Sequence, residues 1–170
     1  LYSSAASDVY KRQPYVIGGM EYAKSLGAKT VSISCVKDAK ISKLADAAIE
    51  VVVGAEAVTG STRMKAGTAQ KMVLNMISTA TMVKIGKVYQ NLMVDVATTN
   101  EKLRVRALNI VREATGVSEE EARELLKASG YDVKVAIVMG IASVDASDAK
   151  NTLEQNSLNV SATIKSLLRK

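Results

Sequence analysis

The sequence predicts an α/β chain built on a parallel sheet, followed by a small domain that is helical throughout. Three observations predict it. Residues 14–53 alternate helix-period and β-branched segments, which is the rhythm of an open sheet with crossover helices. From Thr99 onward, helical patterns follow one another with cap residues between them. The 170 residues are 48% hydrophobic and 24% charged, the balance of a globular chain with room for one domain and a small appendage.

Leu1 to Gln13 has no period and joins the patterned chain abruptly at Pro14. It reads as a foreign or disordered leader and is left out of the fold. Pro14 suits the first position of a helix, in which Tyr15, Ile17, Met20, Ala23 and Leu26 recur mainly at three-residue steps until Gly27. In Lys29 to Ser34, Val31 and Ile33 alternate with hydroxyl residues, which predicts a strand. Ser42 to Asp46 is a short helix capped by Ser42, and Ala48 to Val53 a second strand, fit to be buried and parallel. After a polar loop, a long helix is expected from about Arg63 to Ile85. Its face of Met72, Val73, Met76, Ile77, Ala80 and Val83 is expected to pack in the core or against another subunit. Val88 to Val96 reads as a connector or a further short helix. Residues 14–97 thus form the α/β part and 98–170 the helical domain.

In the helical domain, Asn100 opens a helix that Gly116 ends. Ser118 with Glu121 three residues later forms a capping box for a helix through Leu126, closed by Gly130. Asp132, Asp145 and Asn159 cap three more. The run Ser118-Glu119-Glu120-Glu121-Ala122, then Leu125-Leu126, then Gly130-Tyr131-Asp132-Val133-Lys134-Val135-Ala136-Ile137 resembles a compact ubiquitin-associated-type three-helix unit in shape, which says nothing of ubiquitin binding.

Several function classes are disfavoured. His is absent and Cys35 is the only cysteine. Disulfide frameworks, zinc-ligand spacings and His-based triads therefore have no material. Cys35 itself reads as a small buried residue at a strand end, and Asp95 as a cap or turn. The net charge is +6, but it is diffuse: residues 98–170 hold 11 Lys+Arg against 10 Asp+Glu. Without a basic stripe or aromatic platforms, no nucleic-acid partner is expected. Met72 to Ile85 is too short and polar to span a bilayer. No secretory signal is visible, and with the unpaired cysteine this predicts a cytoplasmic protein.

The densest polar cluster runs from Gly54 to Thr68: Gly54-Ala55-Glu56, then Thr59-Gly60-Ser61-Thr62-Arg63-Met64-Lys65-Ala66-Gly67-Thr68. It follows a strand and opens a helix, the edge of an open sheet where ligands bind. Gly60, Ser61 and Thr62 offer backbone N–H groups and two hydroxyls to an anion. Arg63 and Lys65 sit in the first turn, the unfavourable end of a helix for cations, so a negative group is expected beside them. Glu56 or a ligand phosphate would serve. The alternative is Ser61 or Thr62 as a plain cap, with Glu56 paired to Arg63.

This stretch resembles the signature shared by N-acetylmuramic acid 6-phosphate etherases and glucokinase regulatory proteins. The likeness continues through Ala69-Gln70-Lys71-Met72-Val73-Leu74-Asn75-Met76, Asn91-Leu92-Met93-Val94-Asp95-Val96, Thr99-Asn100-Glu101-Lys102-Leu103 and Ala136-Ile137-Val138-Met139. It covers residues 14–170, and the short helical domain is similar to that of the bacterial etherases. The resemblance implies a partial sugar isomerase (SIS) αβα sandwich and a homodimer. It implies cytosolic cleavage of the lactyl ether of N-acetylmuramic acid 6-phosphate, by elimination and then hydration, with no cofactor and no metal. It marks Glu56, Ser61, Thr62, Arg63 and Lys65 as sugar-phosphate site residues, with Gly60 and Gly67 allowing close backbone approach.

The resemblance also implies an upstream half-domain with a phosphate loop and the acid–base carboxylates. A Ser-Gly-Arg-Thr loop is expected where Val9-Tyr10-Lys11-Arg12-Gln13 stands. The chain therefore reads as the C-terminal portion of an etherase. No carboxylate present is assigned as catalytic. The other readings are a non-catalytic sugar-phosphate-binding regulatory module and an interaction domain in residues 98–170. Apolar helix faces and an open sheet edge predict self-association or aggregation of the isolated chain.

Overall fold

The computed structural model describes residues 14–169. The leader reading of Leu1 to Gln13 lies outside the described residues. The chain divides into two compact units, one up to Ile77 and one from Ser78.

The first unit is α/β. Helix α1 (Pro14–Ser25) leads to β1 (Val31–Ser34), α2 (Lys40–Leu44) and β2 (Ala47–Glu50), and α3 (Lys65–Lys84) begins in this unit. β1 and β2 pair in parallel, Val31 opposite Ala47 through Ser34 opposite Glu50. Asp46 fixes this register. Its Oδ2 accepts from the Thr30 backbone N–H and hydroxyl, both at 2.9 Å, and its Oδ1 accepts from Lys29 Nζ at 3.2 Å. Those bonds, the backbone one first, hold the Asp46 carboxyl well below the usual carboxylate range. Glu50 does similar work one turn on, accepting from the N–H groups of Asp38 and Ala39 at 3.1 and 3.2 Å.

Five features differ from the sequence reading here. Ala39, not Ser42, stands at the α2 N-cap, and it offers no side-chain cap; Ser42 lies inside the helix, beside Glu50. The second strand stops at Glu50, and Ala47 and Ala48 are exposed rather than buried. The inward side of β1 is its hydroxyl side: Thr30, Ser32 and Ser34 are buried while Val31 is 59% exposed. In α1 no residue is buried. The long helix starts at Lys65, and of the predicted apolar face only Val73 is buried, together with Ala66 and Gln70. Met72, Met76, Ile77 and Val83 are exposed. Helical spacing put those residues on one face, but spacing alone does not supply a surface to cover it.

The second unit carries the core. After α3, Gly86 (φ +73) turns the chain into a hairpin of β3 (Val88–Tyr89) and β4 (Leu92–Met93), antiparallel across Gln90 and Asn91. The segment expected to be a connector or helix is thus a two-residue β-ladder, too short to show period two. Five helices follow: α4 (Glu101–Thr115), α5 (Glu119–Ala128), α6 (Val133–Ala142), α7 (Ala146–Gln155) and α8 (Val160–Leu168). Every cap predicted for these five helices is in place. Asn100, Ser118, Asp132, Asp145 and Asn159 each accept a backbone N–H of the first turn, and Ser118 and Glu121 complete the capping box. The α5 helix ends one residue before Gly130, at Ser129.

Helix α6 is the axis of this unit, with Val133 to Val138 buried in an unbroken run. Apart from Lys134 the run is apolar all round, the mark of a helix surrounded on all sides. Ala107, Val111, Ala122, Leu126, Ala149, Leu153, Val160 and Ile164 close around it. Gly140 lets α4 and α5 approach, since a Cβ there would meet Thr115 Cγ2 at 2.9 Å and Leu125 Cδ1 at 3.0 Å.

Two stability outcomes follow from this packing. Ile137→Ala removes a fully buried side chain and is expected to cost about 2–5 kcal/mol, read from urea denaturation. At Gly86 a Cβ would meet the Leu158 carbonyl oxygen at 3.0 Å on a left-handed backbone. Gly86→Ala is therefore expected to destabilise by more than about 1 kcal/mol, whereas an alanine in a helix interior normally gains against glycine.

Candidate functional site

The loop between β2 and α3 is shaped by its own ends. Gly54 (φ +72) and Gly60 (φ +84) take left-handed conformations that glycine adopts without strain. The Glu56 carboxylate reaches across the loop to the start of α3. Its Oε2 accepts from the Lys65 N–H and its Oε1 from the Ala66 N–H, both at 3.0 Å. Lys65 returns the contact: Nζ donates to the Ala55 carbonyl at 2.8 Å. Residues 55–56 and 65–66 are thereby stapled at the foot of the loop. Within it, the Ser61 N–H donates to Val58 O at 3.1 Å, and the Gly67 N–H to Thr62 O at 2.9 Å.

The electrostatics follow. A helix N-terminus presents unpaired N–H groups and partial positive charge. Glu56 satisfies two of those N–H groups. The Ala66 bond first, then the Lys65 bond, hold its carboxyl below the usual range, and the Lys65 charge assists. The negative group expected beside the first turn is therefore Glu56. Its partners are backbone N–H groups, not the Arg63 guanidinium.

The predicted residues fall into two sets. Glu56 and Lys65 are drawn together at the foot of the loop. Ser61 and Thr62 are half-buried on its far side, with Arg63 exposed beside them. Gly60 is exposed and needed for its backbone angle; a Cβ there would meet nothing. At Gly67 a Cβ would touch Thr62 O at 3.4 Å, an ordinary contact. Cys35 is buried at the end of β1, its Sγ 3.7 Å from Ala66 O under the first turn of α3.

The titrations of Asp46, Glu50, Glu56, Asp95, Glu119 and Glu121 are all moved down, each by hydrogen bonds to its charged form. Asp95 is not a cap: it pairs with Lys87 at 2.6 Å. A carboxyl that must donate a proton near neutrality needs the opposite shift. Sequence reasoning offered Glu56 as a counter-charge to the first turn but not the two-way staple with Lys65. Glu56 and Lys65 are nine residues apart, and no helix or strand period links them.

Residues 90–136 match the family described as the C-terminal lid domain of glucokinase regulatory protein. The chain is 58% identical over 153 residues to a protein of Lactobacillus gasseri named N-acetylmuramic acid 6-phosphate etherase, covering 90% of this chain and 52% of that one. It is 54% identical over 156 residues to a Clostridium botulinum protein of the same name, covering 92% and 52%. Against an Escherichia coli protein so named, identity is 58% over 145 residues, covering 85% and 49%. The chain spans about half the length of the curated relatives it matches. An alignment of 145 residues or more within a chain of 170 necessarily takes in residues 54–68. With identity this high along so much of its length, the stapled loop included, the chain is similar to about half the length of proteins named N-acetylmuramic acid 6-phosphate etherase.

Proposed function

We propose that this chain is the part of an etherase of cell-wall sugar recycling that holds the sugar phosphate, and that the substrate is N-acetylmuramic acid 6-phosphate. The observation that carries the reading is the stapled loop within a stretch 54–58% identical to proteins of that name. Ser61 and Thr62 supply hydroxyls, Gly60 and its neighbours supply N–H groups, and Arg63 supplies charge to the phosphate or sugar oxygens. Glu56 and Lys65 belong to the same site and set the shape of the loop.

The reaction is elimination of D-lactate followed by addition of water, leaving N-acetylglucosamine 6-phosphate. It needs one carboxylate to remove a proton beside the lactyl-bearing carbon and a protonated group to assist the leaving oxygen. The downward shifts of Asp46, Glu50, Glu56, Asp95, Glu119 and Glu121 disfavour these six as the proton donor, and the resemblance implies that the pair lies in the half of the relatives' length this chain does not span. In this reading residues 14–97 are the C-terminal part of a SIS-type sandwich, in a cytoplasmic homodimer. Residues 98–170 are its helical domain, with α4–α6 shaped like a ubiquitin-associated unit.

A second reading, a regulatory sugar-phosphate-binding module without catalysis, is favoured by the match of residues 90–136 to a regulatory protein's lid domain. D-lactate release from N-acetylmuramic acid 6-phosphate separates the two. Release by the chain joined to a relative's remaining half supports the enzyme; saturable binding without release supports the module. In either case Ser61→Ala is expected to weaken sugar-phosphate binding by about ten-fold, a loss typical of one charge-assisted hydrogen bond. Unchanged affinity in calorimetry would sink both.

The Glu56 staple has a pH signature of definite sign. The folded state lowers this carboxyl, so its contribution is present above the ordinary carboxylate range and is lost as pH falls through the folded value. Amide exchange at Lys65 and Ala66 is expected to be faster in Glu56→Gln than in the unaltered chain at neutral pH. The difference should close only as pH falls through the lowered folded value, below the ordinary carboxylate range, where both side chains are neutral. A difference that persists in acid would mean the carboxylate charge is not what holds the loop.

A further inference from the structure

The helical unit holds a cleft of about 370 Å³ between residues 94–98, the turn entering α6 and the residues around Leu158. That is room for a small metabolite. Lys134 lines it and is only 8% exposed. A buried ammonium normally has its donors satisfied. Lys134 Nζ makes one hydrogen bond among the described residues, to Leu158 O at the long distance of 3.5 Å.

The acids nearby are largely committed. Asp95 is paired with Lys87 at 2.6 Å, and the charge of Lys134 is only a weaker influence upon it. Asp132 Oδ1 accepts from the backbone N–H groups of Lys134 and Val135. Lys150 and Glu154, one helical turn apart on α7, bring one charge of each sign to the lining. With Lys87 set against Asp95, the three cations and three carboxylates of the wall cancel.

Two further features converge on the same cleft. Tyr131 (φ +64) and Leu158 (φ +59), both lining it, hold left-handed backbone that side chains with a Cβ rarely adopt. Arg104 reaches two lining residues: its Nε donates to Thr98 O at 3.5 Å, and its guanidinium carbon lies 5.6 Å from the centre of the Tyr131 ring. A second cation therefore stands at the rim.

We infer that this cleft binds a small organic carboxylate, received by the Lys134 ammonium with Arg104 at the rim. A monoanion is preferred over a phosphate because the wall charges cancel and Arg104 at the rim adds a single positive charge, which one carboxylate balances and a dianion would exceed. The inference does not rest on the etherase reading.

The test is a titration of the whole ¹⁵N-labelled chain with acetate, glycolate and inorganic phosphate in turn, at ionic strength held constant with chloride. The carboxylates are expected to give saturable amide shifts confined to residues 94–98, 130–135 and 153–158, with phosphate weaker. Lys134→Met should weaken carboxylate binding by at least about ten-fold, and Lys134→Arg should restore most of it. Absence of a saturable shift up to about 50 mM, shifts scattered over the surface, or phosphate binding more tightly than the carboxylates would each overturn the assignment. The shift map of the unaltered chain decides the matter even where Lys134→Met does not fold.

Discussion

Carboxylates that capture backbone N–H groups hold the α/β unit in shape. Asp46 joins the entry of β1 to the turn before β2. Glu50 closes the turn before α2, and Glu56 closes the loop before α3. Each takes a segment that would otherwise carry unpaired N–H groups and ties it to a residue 9 to 16 positions away. The apolar contribution here is small, since the buried hydrophobic residues are Cys35, Ala39, Ala66 and Val73. Much of the definition of this unit therefore depends on charged acceptors, and all three are held in their charged form by the bonds they accept. Lowering the pH acts against all three with the same sign.

The helical unit rests on the opposite principle. Its caps are local, each reaching two or three residues along the chain. Its long-range order comes from burying α6 on all sides. Apart from Thr163, side chains without polar atoms fill the centre, and Gly140 and Gly86 mark places where backbone or side chains come too close for a Cβ. The exception is Lys134, which puts a charge into the same wall that Val133 and Val135 make apolar. A charge that costs desolvation and has one long hydrogen bond is the least consistent residue of an otherwise consistent core.

What could be read from the sequence tracks the range of the interaction. Asn100, Ser118, Asp132, Asp145 and Asn159 were legible as caps because a cap is decided within three residues. The parallel pair and the loop that follows were legible from β-branched runs and punctuating glycines. The Ser42 cap failed because Glu50 already closes that turn, freeing Ala39 to start the helix. The β3–β4 hairpin was missed because two-residue strands are shorter than any detectable period. For the site, the motif located Glu56, Ser61, Thr62, Arg63 and Lys65 in one loop. It did not show that Glu56 and Lys65 face each other across its foot, which depends on how the chain returns.

The α3 helix shows why periodicity is a statement about sides rather than about cover. Met72, Met76, Ile77 and Val83 lie exposed on a helix whose buried residues are Ala66, Gln70 and Val73. The sheet tells the same story from its other side: the hydroxyl side of β1 is buried while Val31 stands 59% exposed, and Val52 just past β2 is 65% exposed. Parallel strands belong to sheets covered on both faces and wider than a single pair. An apolar outer side on the strands and an apolar side on the long helix are the pattern of a larger layered fold. The relatives, about twice as long, have the chain length to form one. The local clamps at Asp46, Glu50 and Glu56 need no such cover, because each bond closes within residues 30–66. The loop can therefore keep its shape whatever lies against the surfaces around it.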